Sequence, residues 1–263
     1  MEYLTQILER KRLEVERRKR HQLLEEPPLR SVSTEGARAI EKLRRPAGAP
    51  PRVIAEIKRS SPSAGQIRAW QRGDIAQLAR AYQTGGAAAV SVLCDRAGFA
   101  GSPLDLRRAV AAVPKLPVLF KEFVLDELQL DLAQAMGASL VLLIVRALPG
   151  ARLEQLVDAT LQRGLAPVVE AADANELERA LATPAVVVGV NARDLRSFKV
   201  DKGAAQRALA EIPPERVAVH MSGVHTPADF SEIAAGRADA VLVGESLMRA
   251  PDPALKLREL RGA

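Results

Sequence analysis

Aromatic residues are scarce in this chain: one Trp, two Tyr and five Phe, or 3% of 263 residues. Any core must therefore be filled by Val, Leu, Ile and Ala, and an apolar content of 48% allows a large one. Cysteine occurs once, as Cys94, which excludes an intramolecular disulfide and suits a reducing compartment. Because Cys94 follows an apolar run, packing is its expected role. No apolar run is long enough to span a bilayer, and the first residues are charged, so neither a membrane span nor a signal peptide is expected. The expected location is the cytoplasm. The three histidines, His21, His220 and His225, have no ligand spacing, and no metal site is expected. Glycine-rich dinucleotide, P-loop and GxSxG signatures are all missing, which removes the motif-borne forms of nucleotide binding and serine hydrolysis.

What is present begins with charge. The net charge is +6, from 38 basic and 32 acidic residues. Much of the excess lies in Arg10-Lys11-Arg12, Arg17-Arg18-Lys19-Arg20 and Arg44-Arg45. Such a balance suits nucleic acid or an anionic small molecule. Residues 2 to about 26 pattern as a helix, with Leu4, Ile7, Leu8, Leu13 and Val15 as a partial apolar stripe and Glu9, Glu14 and Glu16 spaced to pair with basic neighbours. Pro27-Pro28 stops it, and a second helix over about 33–44 ends at Pro46 and Pro50-Pro51. The first helix mixes acids among its bases and lacks aromatics for stacking, so a solvated face is expected rather than a nucleic-acid surface.

From Val53 onward short apolar runs alternate with amphipathic stretches. The runs are Val53–Lys58, Ala88–Leu93, Pro117–Lys121, Ser139–Ile144, Leu165–Glu170, Ala185–Asn191, Arg216–Met221 and Ala240–Val243. Helical patterns such as Asp74–Tyr82, Asp126–Met136, Leu153–Arg163 and Asn175–Leu181 lie between them. Several runs are apolar throughout, as strands covered on both faces are. Eight strands in βα alternation predict an α/β protein with a (β/α)8 TIM barrel over 52–263, preceded by an N-terminal helical extension over 1–46, the whole a single domain. An open doubly wound sheet is the other topology with this rhythm, and it would usually carry a glycine-rich turn where Lys58-Arg59-Ser60-Ser61-Pro62-Ser63 stands.

Barrel chemistry gathers where strands end. Side chains two apart on a strand share a face, so Glu56 and Lys58 project together from the first strand end. Lys121 and Glu122 end the third, Glu170 the fifth and Asn191 the sixth. Lysines and glutamates converging on one rim suit acid/base work, because buried charges require partners and shift one another's pKa values. Ser222-Gly223 after the seventh strand and Gly244-Glu245-Ser246 after the eighth read as a phosphate site, the second as a helix start. His220, one residue from its strand end, is expected to face the helices. The first βα loop, Ser60 to Gly73, is long for such a connection and is expected to work as a lid hinged at Gly65 and Gly73.

These residues resemble the indole-3-glycerol phosphate synthase family nearly end to end. The resemblance rests on Ala55-Glu56-Ile57-Lys58-Arg59-Ser60-Ser61-Pro62-Ser63, Phe99-Ala100-Gly101-Ser102, Leu119-Phe120-Lys121-Glu122-Phe123 and Asn191-Ala192-Arg193-Asp194-Leu195. It implies ring closure of 1-(2-carboxyphenylamino)-1-deoxyribulose 5-phosphate, with loss of CO2 and water, and no cofactor. By motif position it makes Lys121 the principal general acid, Lys58 the holder of the carboxylate, Glu170 the acid/base carboxylate and Glu56 its support. Asn191 would hydrogen-bond the substrate, and Arg193 would help hold the carboxylate. Ser61, Ser222, Gly223, Gly244 and Glu245 would hold phosphate, Glu245 through its backbone N–H. Phe123, Leu119, Leu142 and Leu195 would form the slot for the ring. The extension would pack over the barrel mouth, with no nucleic-acid or membrane partner, in a monomer or weak homo-oligomer. The chain departs from the family pattern at Met221, where Glu is usual, and at Ala192, where a second Asn is common. A divergent paralogue acting on another sugar phosphate, and a non-catalytic phosphosugar-binding relative, remain open beside the synthase reading.

Overall fold

A computed structural model describes residues 3–22, 35–61, 65–69, 71, 73–193 and 200–262. Eight parallel strands close into a barrel in which each pairs with its sequence neighbours and the last returns to the first. They are β1 (Arg52–Ile57), β2 (Ala89–Leu93), β3 (Val118–Lys121), β4 (Leu140–Ile144), β5 (Ala166–Ala171), β6 (Val187–Asn191), β7 (Val217–Met221) and β8 (Ala240–Val243). Strands β2 and β4–β8 are buried at every position, as strands between a packed lumen and a helical shell must be. Closure comes from Arg52–Ala55 of β1 running beside Ala240–Val243 of β8. The interior is a packed core rather than a pore. At one level the absent side chain of Gly189 leaves room for Met221: a Cβ there would stand 2.5 Å from the Met221 Cε.

The helices around the barrel start where the sequence supplies caps. Asp126 caps α6 (Glu127–Ala135) in a capping box with Gln129, and Thr226 caps α10 (Pro227–Ala234) in one with Asp229. Ser222, next to β7, has φ 72° and Gly223 has φ 79°. A serine in the left-handed region is uncommon, and such backbone gathers at functional sites.

The N-terminal extension divides between the two ends of the barrel. Helix α1 (Tyr3–Gln22) lies over the C-terminal ends of β2 and β3, tied there by ion pairs of Lys11 to Asp95 and Glu122. Helix α2 (Glu35–Leu43) closes the opposite end. The Gly36 N–H donates to the Gly164 carbonyl at the start of β5, and the Arg45 guanidinium caps carbonyls of Ala234, Gly236 and Ala238 below β8. The expectation that the whole extension packs over the mouth is therefore corrected for α2. Its amphipathic face, with Ala39 and Leu43 fully buried, matches the apolar underside of the barrel. The stop at Pro27-Pro28, residues 62–64, 70 and 72 of the expected lid, and Leu195 lie outside the described residues.

Gly36 permits this docking. A Cβ at that position would stand 2.7 Å from three backbone atoms of Gly164, Leu165 and Ala166, none of which can rotate away. Alanine normally gains about 1 kcal/mol over glycine inside a helix. Here overpacking, which costs about 1–3 kcal/mol, opposes that gain. Gly36→Ala should lower the denaturation midpoint and leave turnover near that of the unmodified chain, since the contact is at the far end from the strand termini; equal or higher stability would remove the close-packing role.

Candidate active site

The strand alternation that buries Ile54 in the lumen also brings Glu56 and Lys58 to the C-terminal mouth, where a pocket opens between the βα loops. Its non-atom space is about 1050 Å3, open mouth included, which suits a small molecule. Two ion pairs stand in it. The Lys58 Nζ lies 2.9 Å from the Glu56 Oε1, and the Lys121 Nζ lies 3.5 Å from the Glu170 Oε2. Both carboxylates are buried, whereas the lysines are 17% and 16% exposed, so the cations face the cavity. Burial alone would raise the Glu56 pKa, but Lys58, Lys121 and Arg193 outweigh it and hold the carboxyl below its ordinary value. Glu56 is therefore a carboxylate at neutral pH.

Asn191 links this centre to the sixth loop. Its Nδ2 donates to the Glu170 Oε1 at 3.1 Å, and its Oδ1 accepts the Arg193 N–H at 3.0 Å. One oxygen of Glu170 thus faces an amide and the other faces an ammonium. Such a carboxylate is held in one orientation by the amide, with the ammonium paired to its other oxygen. Beside this cluster, with Leu93 next to Lys121 and Ile144 next to Glu170 in the sheet, Leu93, Phe99, Phe123, Leu142 and Ile144 give an apolar wall. The remaining side carries Ser61, Ser222, Gly223, Gly244 and Glu245. The Glu245 carboxylate accepts from the Arg249 Nε at 3.0 Å, leaving the helix start of α11 (Glu245–Arg249) to present backbone N–H groups. Gly244 is required by close approach, since a Cβ there would stand 2.5 Å from the Glu56 Oε1.

Thirteen residues expected from sequence line one pocket: Glu56, Lys58, Ser61, Lys121, Phe123, Leu142, Glu170, Asn191, Arg193, Ser222, Gly223, Gly244 and Glu245. Leu119 is not among them. It shares the lumenal face of β3 with Lys121 but sits two residues deeper, fully buried in the barrel core. Leu93, Ile144 and Leu242 were missed, although each has the lumenal parity of its strand and stands at or near the end. Met221 also lines the pocket. His220 points away as expected, with its Nε2 3.0 Å from the Ser222 carbonyl, and burial pushes its pKa down to about 4, so the ring is neutral. The Cys94 thiol is buried and its pKa is pushed well up by burial and the nearby carboxylates, which makes it inert packing. Among the described residues no group of three His, Cys, Asp or Glu side chains could hold a metal ion, and no helix is long and apolar enough to cross a membrane.

A closed parallel barrel with paired lysines and glutamates at its strand ends defines a (β/α)8 barrel with an acid/base site at its C-terminal mouth. A family model described as Indole-3-glycerol phosphate synthase matches residues 4–260. Indole-3-glycerol phosphate synthase of Leifsonia xyli subsp. xyli is 47% identical over 211 residues, 80% of each chain. Indole-3-glycerol phosphate synthase 2 of Streptomyces coelicolor is 49% identical over 210 residues, again 80% of each. The chain belongs to the indole-3-glycerol phosphate synthase family. Among solved structures, the tryptophan synthase alpha chain of Legionella pneumophila superposes with a TM-score of 0.62 over 88% of this chain and 97% of its own, at 13% identity, a likeness of fold alone.

Proposed function

We propose that this pocket converts 1-(2-carboxyphenylamino)-1-deoxyribulose 5-phosphate to indole-3-glycerol phosphate, with the work divided among its own side chains as follows. The carbon–carbon bond forms between the ring carbon bearing the carboxylate and the ribulose carbonyl carbon. The carbonyl oxygen takes up negative charge in that step, and Lys121, which faces the cavity, donates to it. The carboxyl group then leaves as CO2, its bonding electrons restoring the ring's aromaticity. The new hydroxyl leaves as water with a second donated proton, while a carboxylate accepts the proton released as the indole double bond forms. Glu170 takes that proton and returns it to Lys121.

Lys58 and Arg193 are cations suited to holding the substrate carboxylate until it departs. Glu56 keeps Lys58 oriented, and Asn191 keeps Glu170 oriented. The left-handed turn at Ser222-Gly223 and the helix start at Gly244-Glu245 suit phosphate, with Ser61 lining the same pocket. Phe123 and Leu142 suit the aryl ring. The observation that carries this reading is the pair of ion pairs, Lys58–Glu56 and Lys121–Glu170, facing one cavity between an apolar wall and the two glycine-bearing loops. Indole fluorescence should grow on adding the carboxyphenylamino substrate to the full chain with no cofactor supplied. Tight binding of the substrate without fluorescence would instead mark a non-catalytic phosphosugar-binding relative.

A further inference from the structure

Lys11 lies in the middle of α1, outside the barrel, and is only 3% exposed. An ammonium buried alone is costly, and this one has three carboxylates around it. Its Nζ stands 2.9 Å from Glu14 of its own helix, 3.0 Å from the Asp95 Oδ1 and 3.1 Å from the Glu122 Oε2. Burial would lower its pKa, but Glu122, Asp95 and Glu14 reverse this and hold it well above the ordinary lysine value. The ammonium is therefore permanent.

Each barrel-side partner uses its second oxygen on backbone. The Asp95 Oδ2 accepts the Gly98 N–H at 2.6 Å and caps α4 (Arg96–Phe99), which ends in Phe99. The Glu122 Oε1 accepts the N–H of Phe123 at 2.8 Å. Phe99 and Phe123 stand with ring centroids 6.3 Å apart and planes tilted by 34°, and both line the pocket. So one ammonium grips the two carboxylates that fix the backbone of the two aromatic residues of the apolar wall.

We propose that Lys11 is a positioning residue: through Asp95 and Glu122 it sets the Phe99–Phe123 wall and with it the affinity for the substrate's aryl ring. This rests on the reading that the pocket takes an N-aryl sugar phosphate. Removing the cation takes away the charge that bridges Asp95 and Glu122. Burial and Asp95 already push the Glu122 pKa up to about 7, so that carboxyl then takes up a proton. With nothing tying Asp95 and Glu122 to each other or to α1, both backbone hooks loosen. Lys121 adjoins Glu122 but is fixed in β3 by its pairing with Leu93 of β2, and Glu170 and the loops after β7 and β8 stand on other strands.

The test is a set of full-chain variants, Lys11→Met, Lys11→Gln and Lys11→Met/Glu122→Gln, assayed for turnover and titrated with inorganic phosphate. Misplacing a binding wall should raise KM about tenfold for Lys11→Met while kcat stays within about threefold. Phosphate affinity should be unchanged. The double variant should match Lys11→Met in KM, because a protonated Glu122 and a neutral glutamine each accept the Phe123 N–H and neither restores the tie to Asp95. Full recovery of KM in the double variant would overturn the proposal. Lys11→Gln keeps a donor, should show a smaller rise in KM, and supplies the reading where Lys11→Met does not fold. A lowered melting temperature with unchanged KM, or parallel loss of kcat and phosphate affinity, would overturn the proposal. Absence of turnover in the unmodified chain would overturn the functional reading together with this inference, whereas turnover there with unaltered KM in the variants overturns this inference alone.

Discussion

Lys121→Ala should reduce kcat by about 10²–10⁴-fold, the usual contribution of a positioned general acid. The side chain leaves β3 toward the cavity, 3.5 Å from Glu170, and no other cation stands on that strand end. Lys58 is engaged 2.9 Å from Glu56 on β1 and cannot take both positions. The loops after β7 and β8 stand on other strands than Lys121, so the dissociation constant for inorganic phosphate should stay within about twofold in a site built from those loops. Steady-state turnover beside a phosphate titration measures both quantities. A fall in kcat of less than tenfold would take the general-acid role from Lys121.

Glu170→Gln should be nearly as damaging, about 10²–10³-fold in kcat with KM little changed, because it removes a proton acceptor without altering shape. In the native arrangement Glu170 accepts from Asn191 with one oxygen and faces the Lys121 ammonium with the other. Glutamine keeps a carbonyl oxygen for one of these partners only. Its NH2 group must then point at a second donor, either the ammonium or the Asn191 amide, and that mismatch disturbs Lys121 as well. The double variant Lys121→Ala/Glu170→Gln should therefore be little worse than either single one, as expected for groups acting as a unit. Multiplicative losses would mean that the two residues act in separate steps.

The barrel was legible because its strands obey a simple rule. Apolar runs of β-branched residues recur with caps and glycines between them, and the observed strands begin within about two residues of the expected ones, as at Pro117 against Val118 and Ala185 against Val187. The active-site side was legible for a related reason: a charged residue at the end of an otherwise apolar strand has a defined facing, so Glu56, Lys58, Lys121 and Glu170 were placed together by parity. What escaped was whatever depended on contacts across the chain. Lys11 looks like one of many bases on a solvated helix, and nothing local distinguishes it from the exposed Arg10 and Arg12. Its burial follows from Asp95 and Glu122, which stand on strand ends that sequence reading cannot set beside α1. Gly36 reads as an ordinary helix glycine until Gly164–Ala166 is brought against it. Leu119 has the right parity for the ring slot but the wrong depth, and depth depends on how far each strand runs before the pocket opens.

The division of the extension between both ends of the barrel also fixes an order of events. During synthesis α1 and α2 leave the ribosome before the barrel strands, yet Arg45 bonds to carbonyls 189 to 193 residues further along the chain. Lys11 must wait for β2 and β3, Gly36 for the start of β5, and Arg45 for the approach to β8. These are loop closures that reward the chain only after most of the barrel exists. Until then the apolar faces carrying Leu4, Ile7, Ala39 and Leu43 have nothing to cover. An extension made ahead of the barrel is thus among the last parts to become native, and its docking at both ends reports that the strands between are in place.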